Sequence, residues 1–157
     1  MSTQAKTPTS VKQMMSTDVV SLPAGSTVHD ALSLMISNQV SALPVVDRND
    51  CCVGIITTTD LVQVTYDIDD DFMQTTPLSP GESQRFVEKL GDAIGSEPLA
   101  SFMSESVCTV SQDASIAHAA KLMLQNQVHH LPVVGANEKL TGILSTMDVL
   151  GAIVDER

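Results

Sequence analysis

Leu43-Pro44-Val45-Val46, a polar turn at Asp47-Arg48-Asn49-Asp50, and Gly54-Ile55-Ile56-Thr57-Thr58-Thr59-Asp60 form the stretch that decides the fold, because the pattern occurs twice. The second copy reads Leu131-Pro132-Val133-Val134, Gly135-Ala136-Asn137-Glu138, and Gly142-Ile143-Leu144-Ser145-Thr146-Met147-Asp148. Each copy predicts two short strands, Leu43–Val46 with Val53–Thr57 and Leu131–Val134 with Leu140–Ser145, joined by a polar turn. A helix is entered directly from the second strand, over about Thr58–Tyr66 and Thr146–Val154. Pro44 and Pro132 suit the first positions of a strand, where a missing N–H does little harm.

Working outward, Val11–Val62 aligns with Leu99–Leu150 at one constant offset and without a gap. Met15-Ser16 falls on Met103-Ser104, and Asn38-Gln39-Val40 on Asn126-Gln127-Val128. So many matches in register mark a duplicated unit. Val19–Leu22 and Val107–Val110 read as a further short strand in each copy. Val28, Ala31, Leu32, Met35 and Ile36 then recur at helical spacing, as do Ile116, Ala119, Ala120, Met123 and Leu124. Ser26 or Thr27 can cap the first of these helices, and Ser115 the second. Each copy therefore reads β-α-β-β-α, an α/β (α+β) class. A copy of this length is too short for a robust core of its own, so the two are expected to pack on each other about a pseudo-twofold axis.

The expected organisation is a disordered stretch over 1–10, one repeat over 11–66, a linker over 67–98 and a second repeat over 99–157. The linker opens on the acidic run Asp67–Asp71 and carries a helix from Ser79-Pro80 to about Ile94, ended by Gly95. Hydrophobic content of 43% with 17% charged residues places the 157-residue chain among globular proteins. With no Trp, one Tyr and three Phe, the core must come from aliphatic residues and the eight Met.

A net charge of −11 without a basic cluster argues against nucleic acid and anionic membrane surfaces. No apolar run approaches the length of a membrane span, and the first ten residues carry no secretory apolar stretch. Three cysteines, two of them adjacent, fit a reduced, cytoplasmic setting.

A tandem β-α-β-β-α unit with these two motifs resembles a pair of CBS (cystathionine β-synthase-type) motifs, the arrangement called a Bateman module. The resemblance covers about two-thirds of the chain. It implies a small mixed sheet per repeat with helices on one face, and two clefts where the repeats meet through their sheets. It also implies regulatory ligands of the adenosine class, such as AMP, ATP or S-adenosylmethionine, rather than a cofactor. Low basic content tilts the choice towards AMP or a neutral or cationic adenosyl ligand.

In Thr57-x-x-Asp60 and Ser145-x-x-Asp148 the carboxylate falls in the first helical turn, where the helix dipole keeps it ionised. Its two oxygens can accept from ribose 2′- and 3′-hydroxyls, as an acidic residue does in dinucleotide-binding folds. The hydroxyl of Thr57 or Ser145 can reach sugar or phosphate oxygens. A hydroxyl residue followed three positions later by an acid is equally a helix-capping pattern, and the two roles are compatible.

By the same resemblance, the better-equipped cleft joins His129, His130, Ser145 and Asp148 with Met15, Asp18 and Val20. Its mate uses Thr57, Asp60, Met103, Ser106 and Cys108. Ser41 and Ala42, which enter the matching strand of the first repeat, are also assigned to ligand binding and fit either set. His129 and His130 replace Ser41 and Ala42; they can meet a phosphate in a pH-dependent way, or simply end a helix.

His29 and His118 read as surface residues, Cys51-Cys52 as a strand edge, and the methionines as core. No spacing resembles a zinc site or a calcium loop, and no nucleophile–base set appears, so catalysis is not expected. The chain reads as a sensor that signals to an unknown effector protein. Apolar positions Val28, Ala31, Leu32, Val149, Leu150 and Ile153 suggest a homodimer through helices. A ligand-free docking module and a Mg²⁺ sensor are the alternatives.

Overall fold

The computed structural model describes residues 9–62, 95–103 and 107–155. The acidic run at 67–71, the expected helix from 79 to 94 and Ser106 lie outside them. The described residues form two compact units, one built on 20–48, 53–62 and 95–103, the other on 9–19, 49–52 and 107–155. Each holds one repeat's sheet.

The first-repeat unit contains β1 (Leu22–Pro23), α2 (Val28–Asn38), β2 (Ala42–Val46), β3 (Cys52–Thr57) from Val53 onward, and the start of α3, residues 58–62. The second contains α1 (Val11–Met14), β4 (Val110–Ser111), α4 (Ile116–Asn126), β5 (His130–Val134), β6 (Leu140–Ser145) and α5 (Thr146–Asp155). The sheets run β1-β2-β3 and β4-β5-β6, with the outer pair β1–β2 or β4–β5 parallel. In the second sheet β5 and β6 are antiparallel, with His130 opposite Ser145 and Pro132 opposite Ile143.

The outer strands fall later than the sequence predicts: Leu22–Pro23 instead of Val19–Leu22, and Val110–Ser111 instead of Val107–Val110. The prolines explain the displacement. Each lies third in the central strand of its sheet, not at its start. Gln112 donates its N–H to Val134 O (3.0 Å) and Ala24 donates to Val46 O (2.8 Å), so Val134 and Val46 turn their backbones towards the outer strand. Alternation along a strand turns Pro132 and Pro44 the same way. Neither has an N–H to give, so the parallel ladder begins only beyond them.

Helices α2 and α4 start on side-chain caps. Thr27 Oγ1 accepts from Asp30 N–H (3.3 Å) while Asp30 Oδ2 accepts from Thr27 N–H (3.0 Å), and Ser115 Oγ accepts from His118 N–H (3.1 Å). Those bonds hold the Asp30 carboxyl below the usual carboxylate range. Both helices end alike. Gln39 (φ 54°) and Gln127 (φ 53°) take the left-handed conformation, and Val40 and Val128 N–H reach back to Met35 O and Met123 O at 3.1 Å. This closes orphan carbonyls in the geometry that glycine usually supplies. Ser115→Ala is expected to cost about 1 kcal/mol of stability, read by urea unfolding, because His118 N–H loses its acceptor.

The cores show an exchange that the repeat boundaries conceal. Val11 is fully buried among Val110, Ile116, Leu131, Val133 and Leu144, with Met14 and Met15 packed on the same cluster. Leu99, Phe102 and Met103, their counterparts, pack instead with Leu22, Val28, Leu43, Val45 and Ile56. Each repeat's opening segment thus completes the core of the other repeat's unit. Backbone bonds follow. Ile116 N–H donates to Thr9 O (2.9 Å) and Val11 N–H to Ala114 O (2.9 Å); Val28 N–H donates to Glu97 O (3.1 Å) and Leu99 N–H to Ser26 O (2.9 Å). The first-turn N–H groups of α2 and α4, orphaned by helix geometry, find acceptors in these segments.

The helical face expected to meet a second copy needs correction. Val28, Ala31, Leu32 and Val149 are all buried in their own unit's core. One three-stranded sheet and the exchanged segment cover them. Leu150 and Ile153 do remain exposed, joined by Met147 and Val154 on α5 and by Leu124 on α4.

Candidate functional site

At the end of β3 the chain passes without a loop into α3, and at the end of β6 into α5. The hydroxyl residue is therefore the N-cap, and the aspartate lies in the first turn. Asp148 Oδ2 accepts from Ser145 N–H (2.8 Å), and Ser145 Oγ accepts from Asp148 N–H (3.1 Å). Asp60 Oδ2 accepts from Thr57 N–H (2.8 Å) and from the Thr57 hydroxyl (2.9 Å), while Thr57 Oγ1 accepts from Asp60 N–H (3.2 Å).

The capping geometry is thus formed in both copies. It uses one carboxylate oxygen only. Among the described residues nothing donates to Oδ1 of Asp60 or Asp148, and both residues are half-buried. A carboxylate pinned by one oxygen, with the other free, is an oriented acceptor whose rotamer entropy is already lost.

The strand entries lie against these caps. Thr146 N–H donates to His129 O (3.0 Å) and Thr58 N–H to Ser41 O (3.0 Å). His130 stands opposite Ser145, so the two side chains share one face of the sheet. His129 is exposed and His130 half-buried. Burial pushes the His130 imidazole below its ordinary value; His129 adds to this and Asp148 opposes it. In the first-repeat unit Ser41 is exposed and Ala42 buried.

Met15 and Met103 take equivalent places. A Cβ built on Gly142 would lie 2.6 Å from Met15 Sδ, and one built on Gly54 would lie 2.6 Å from Met103 Sδ. The glycine of each motif is thus the gap into which a thioether fits. Ser16 extends the contact by exchanging both backbone bonds with Ile143 (2.9 and 3.0 Å), which covers the outer edge of β6. The sequence already held the signal, since Met15 and Met103 recur at the offset of Gly54 and Gly142, but it did not show that each methionine meets the other repeat's glycine.

The structure gathers His129, His130, Ser145, Asp148 and Met15 in the second-repeat unit, and Ser41, Ala42, Thr57, Asp60 and Met103 in the first. Val20 packs on the first unit's core and Cys108 on the second's. Asn126 Nδ2 donates to Cys108 Sγ (3.5 Å), and burial pushes that thiol up, so it stays protonated. Asp18 is exposed in the loop after Ser16. Among the described residues no His, Cys, Asp and Glu side chains cluster as metal ligands, and no helix is long and apolar enough to cross a membrane.

Comparison with known proteins places this geometry. The chain is 28% identical over 147 residues to an uncharacterized 17.7 kDa protein of Acidianus ambivalens, covering 94% of this chain and 74% of that one. It is 31% identical over 137 residues to the chloroplastic CBS domain-containing protein CBSX2 of Arabidopsis thaliana, covering 81% of this chain and 55% of that one. The crystal structure of CBSX2 in complex with AMP superposes with a TM-score of 0.70 at 26% identity, covering 94% of this chain and 98% of that one. The CBS domain pair of protein MJ0100, solved with 5′-methylthioadenosine and S-adenosyl-L-methionine, shares the fold, with a TM-score of 0.70 at 20% identity over 96% of this chain and 100% of that one. The family description "CBS domain" matches residues 11–67 and again 99–155. With both repeats matched and two small mixed sheets in place, the chain belongs to the CBS domain family.

Proposed function

We propose that this protein is a regulatory module, not a catalyst, that binds an adenosine-containing ligand and signals its occupancy to a partner protein. One observation carries the reading: in both copies the aspartate of the strand–helix junction is pinned through Oδ2, and among the described residues no group donates to its Oδ1. The ribose hydroxyls of the ligand supply that donor. The likeness to CBSX2, whose structure was solved with AMP, supports the choice of ligand class.

Titration calorimetry and thermal shift with AMP, ADP, ATP, S-adenosylmethionine, NAD and Mg²⁺ test it. A ligand at a hundred times its Kd is expected to stabilise the fold by about 2.7 kcal/mol. Asp148→Asn keeps an acceptor for Ser145 N–H but removes the charge. It is expected to weaken the bound ligand tenfold or more, the worth of one charge-assisted hydrogen bond. Equal affinity in wild type and Asp148→Asn overturns the ribose assignment.

The capping bonds themselves favour one second reading, a docking scaffold in which each carboxylate only starts its helix. Absence of binding by the whole panel leaves that reading. We further propose a cytoplasmic homodimer through Met147, Leu150, Ile153 and Val154, which are 54–71% exposed on α5. Light scattering that finds only the 16.7 kDa monomer at micromolar concentration counts against it.

A further inference from the structure

We infer that Met15 and Met103 are modification sites for a hydroperoxide, and that their sulfoxides unseat each opening segment from the core it completes. The inference is independent of the adenosyl reading above.

The placement of the two sulfur atoms carries it. In each copy a thioether sulfur is the atom nearest to where a Cβ would stand on the motif glycine. Met15 Sδ lies 2.6 Å from that point at Gly142, and Met103 Sδ 2.6 Å from it at Gly54. The sulfur therefore rests on strand backbone in a gap made by a missing side chain. Both methionines are nonetheless only half-buried, so a molecule as small as a peroxide can reach them.

The other described methionines lack that combination. Met35 and Met123 are 6% and 5% exposed, inside the two cores. Met147 is 71% exposed on α5, where an added polar group meets water. Met14 is half-buried, but its Cε lies 3.6 Å from a Cβ built on Gly151, an ordinary contact.

The chemistry is an oxygen-atom transfer. The thioether sulfur attacks one peroxide oxygen, the O–O bond breaks, and with hydrogen peroxide the second oxygen leaves as water. Sulfur is oxidised by two electrons and the peroxide is reduced by two. An apolar side chain becomes a polar one, and its new oxygen requires a donor. The neighbouring backbone N–H groups are already spent. Met15 donates to Val11 O (2.8 Å), Ser16 to Ile143 O (2.9 Å) and Ile143 to Ser16 O (3.0 Å). Phe102 and Met103 both donate to Leu99 O, each at 3.0 Å. The sulfoxide is hydrated only by swinging out of the glycine gap, and the opening segment then loses the side chain that seats it.

The loss has a defined reach. The first opening segment holds the start of α4, through Thr9 O with Ile116 N–H and Val11 N–H with Ala114 O, both at 2.9 Å. The second holds the start of α2, through Glu97 O with Val28 N–H (3.1 Å) and Leu99 N–H with Ser26 O (2.9 Å). Oxidation at Met15 therefore loosens α4, and oxidation at Met103 loosens α2.

Graded hydrogen peroxide on the full chain tests this, with catalase to stop the reaction and dithiothreitol to reverse oxidised thiols. Peptide mass mapping and amide exchange are the readouts. Met147 is expected to oxidise first, without effect on exchange. Sulfoxides at Met15 and Met103 follow, with exchange in the first turns of α4 and α2 about tenfold faster. Met35 and Met123 are expected to oxidise last. Met15→Leu conserves volume and removes the sulfur. In that variant peroxide is expected to leave α4 at its untreated rate while still loosening α2, and Met103→Leu is expected to give the mirror result. Methionine sulfoxide reductases for both epimers are expected to restore the untreated rates in wild type. Unchanged exchange once both sulfoxides have formed overturns the inference. So does oxidation of Met15 and Met103 no sooner than Met35 and Met123, or an α4 that loosens equally in Met15→Leu.

Discussion

Leu99→Ala is expected to destabilise the chain by about 2–5 kcal/mol, the range for truncating a buried leucine where the surroundings cannot collapse. Leu99 is 1% exposed, and it is buried among Leu22, Val28, Leu43, Val45 and Ile56 of the first repeat although it opens the second. The loss should therefore fall on a place the sequence does not suggest. Amide exchange in α2 and β2 is expected to accelerate more than exchange in α4 and β5. The reverse order, with α4 and β5 opened first, would show that Leu99 stabilises its own repeat and that the exchanged segments are wrongly placed. Val11→Ala, at the matching position, should give the mirror result with a smaller magnitude, because less side chain is removed.

Gly142→Val should rank next, and the contrast with Gly54→Val identifies its cause. At Gly142 an added Cβ meets Met15 Sδ at 2.6 Å, Met15 Cγ at 3.0 Å and the backbone oxygen of Ser16 at 2.9 Å. The thioether can swing aside, but Ser16 O is held by Ile143 N–H at 3.0 Å and cannot yield without breaking that bridge. At Gly54 the three nearest atoms, at 2.6 to 3.3 Å, all belong to the flexible Met103 side chain. A cost of about 1–3 kcal/mol, the usual scale of overpacking, is expected at Gly142 and a clearly smaller one at Gly54, compared as urea midpoints at equal slope. If the two cost the same, the backbone contact at Ser16 does not matter. Ligand affinity is a second readout, since Gly142 lies three residues before Ser145 in β6 and a shifted strand end would move the cap that orients Asp148.

Much of the site can be read from sequence because its parts are local. A capping pair spans three residues, so Ser145 with Asp148 and Thr57 with Asp60 lie within one helical turn whatever surrounds them. The placement of His129 and His130 against that turn follows from a short hairpin, whose register is set by few residues. What covers Val28, Ala31 and Leu32 is not legible in the sequence, for the converse reason. Their spacing shows that one helical face is apolar, but not whether a sheet, an exchanged segment or another copy covers it. The displaced outer strands belong with these: β-propensity marked Val19–Leu22, while the pairing needed a donor that Pro44, on a neighbouring strand, lacks.

By itself the sequence determined the duplication, the β-α-β-β-α order, the helix caps and the two strand–helix junctions, because periodicity, capping and turn chemistry act over a few neighbouring residues. Only the tertiary structure decided which core receives each opening segment and why Gly54 and Gly142 must lack a side chain. Those are contacts between residues far apart in the chain, and they are set by packing and by backbone bonds whose partners no local pattern names.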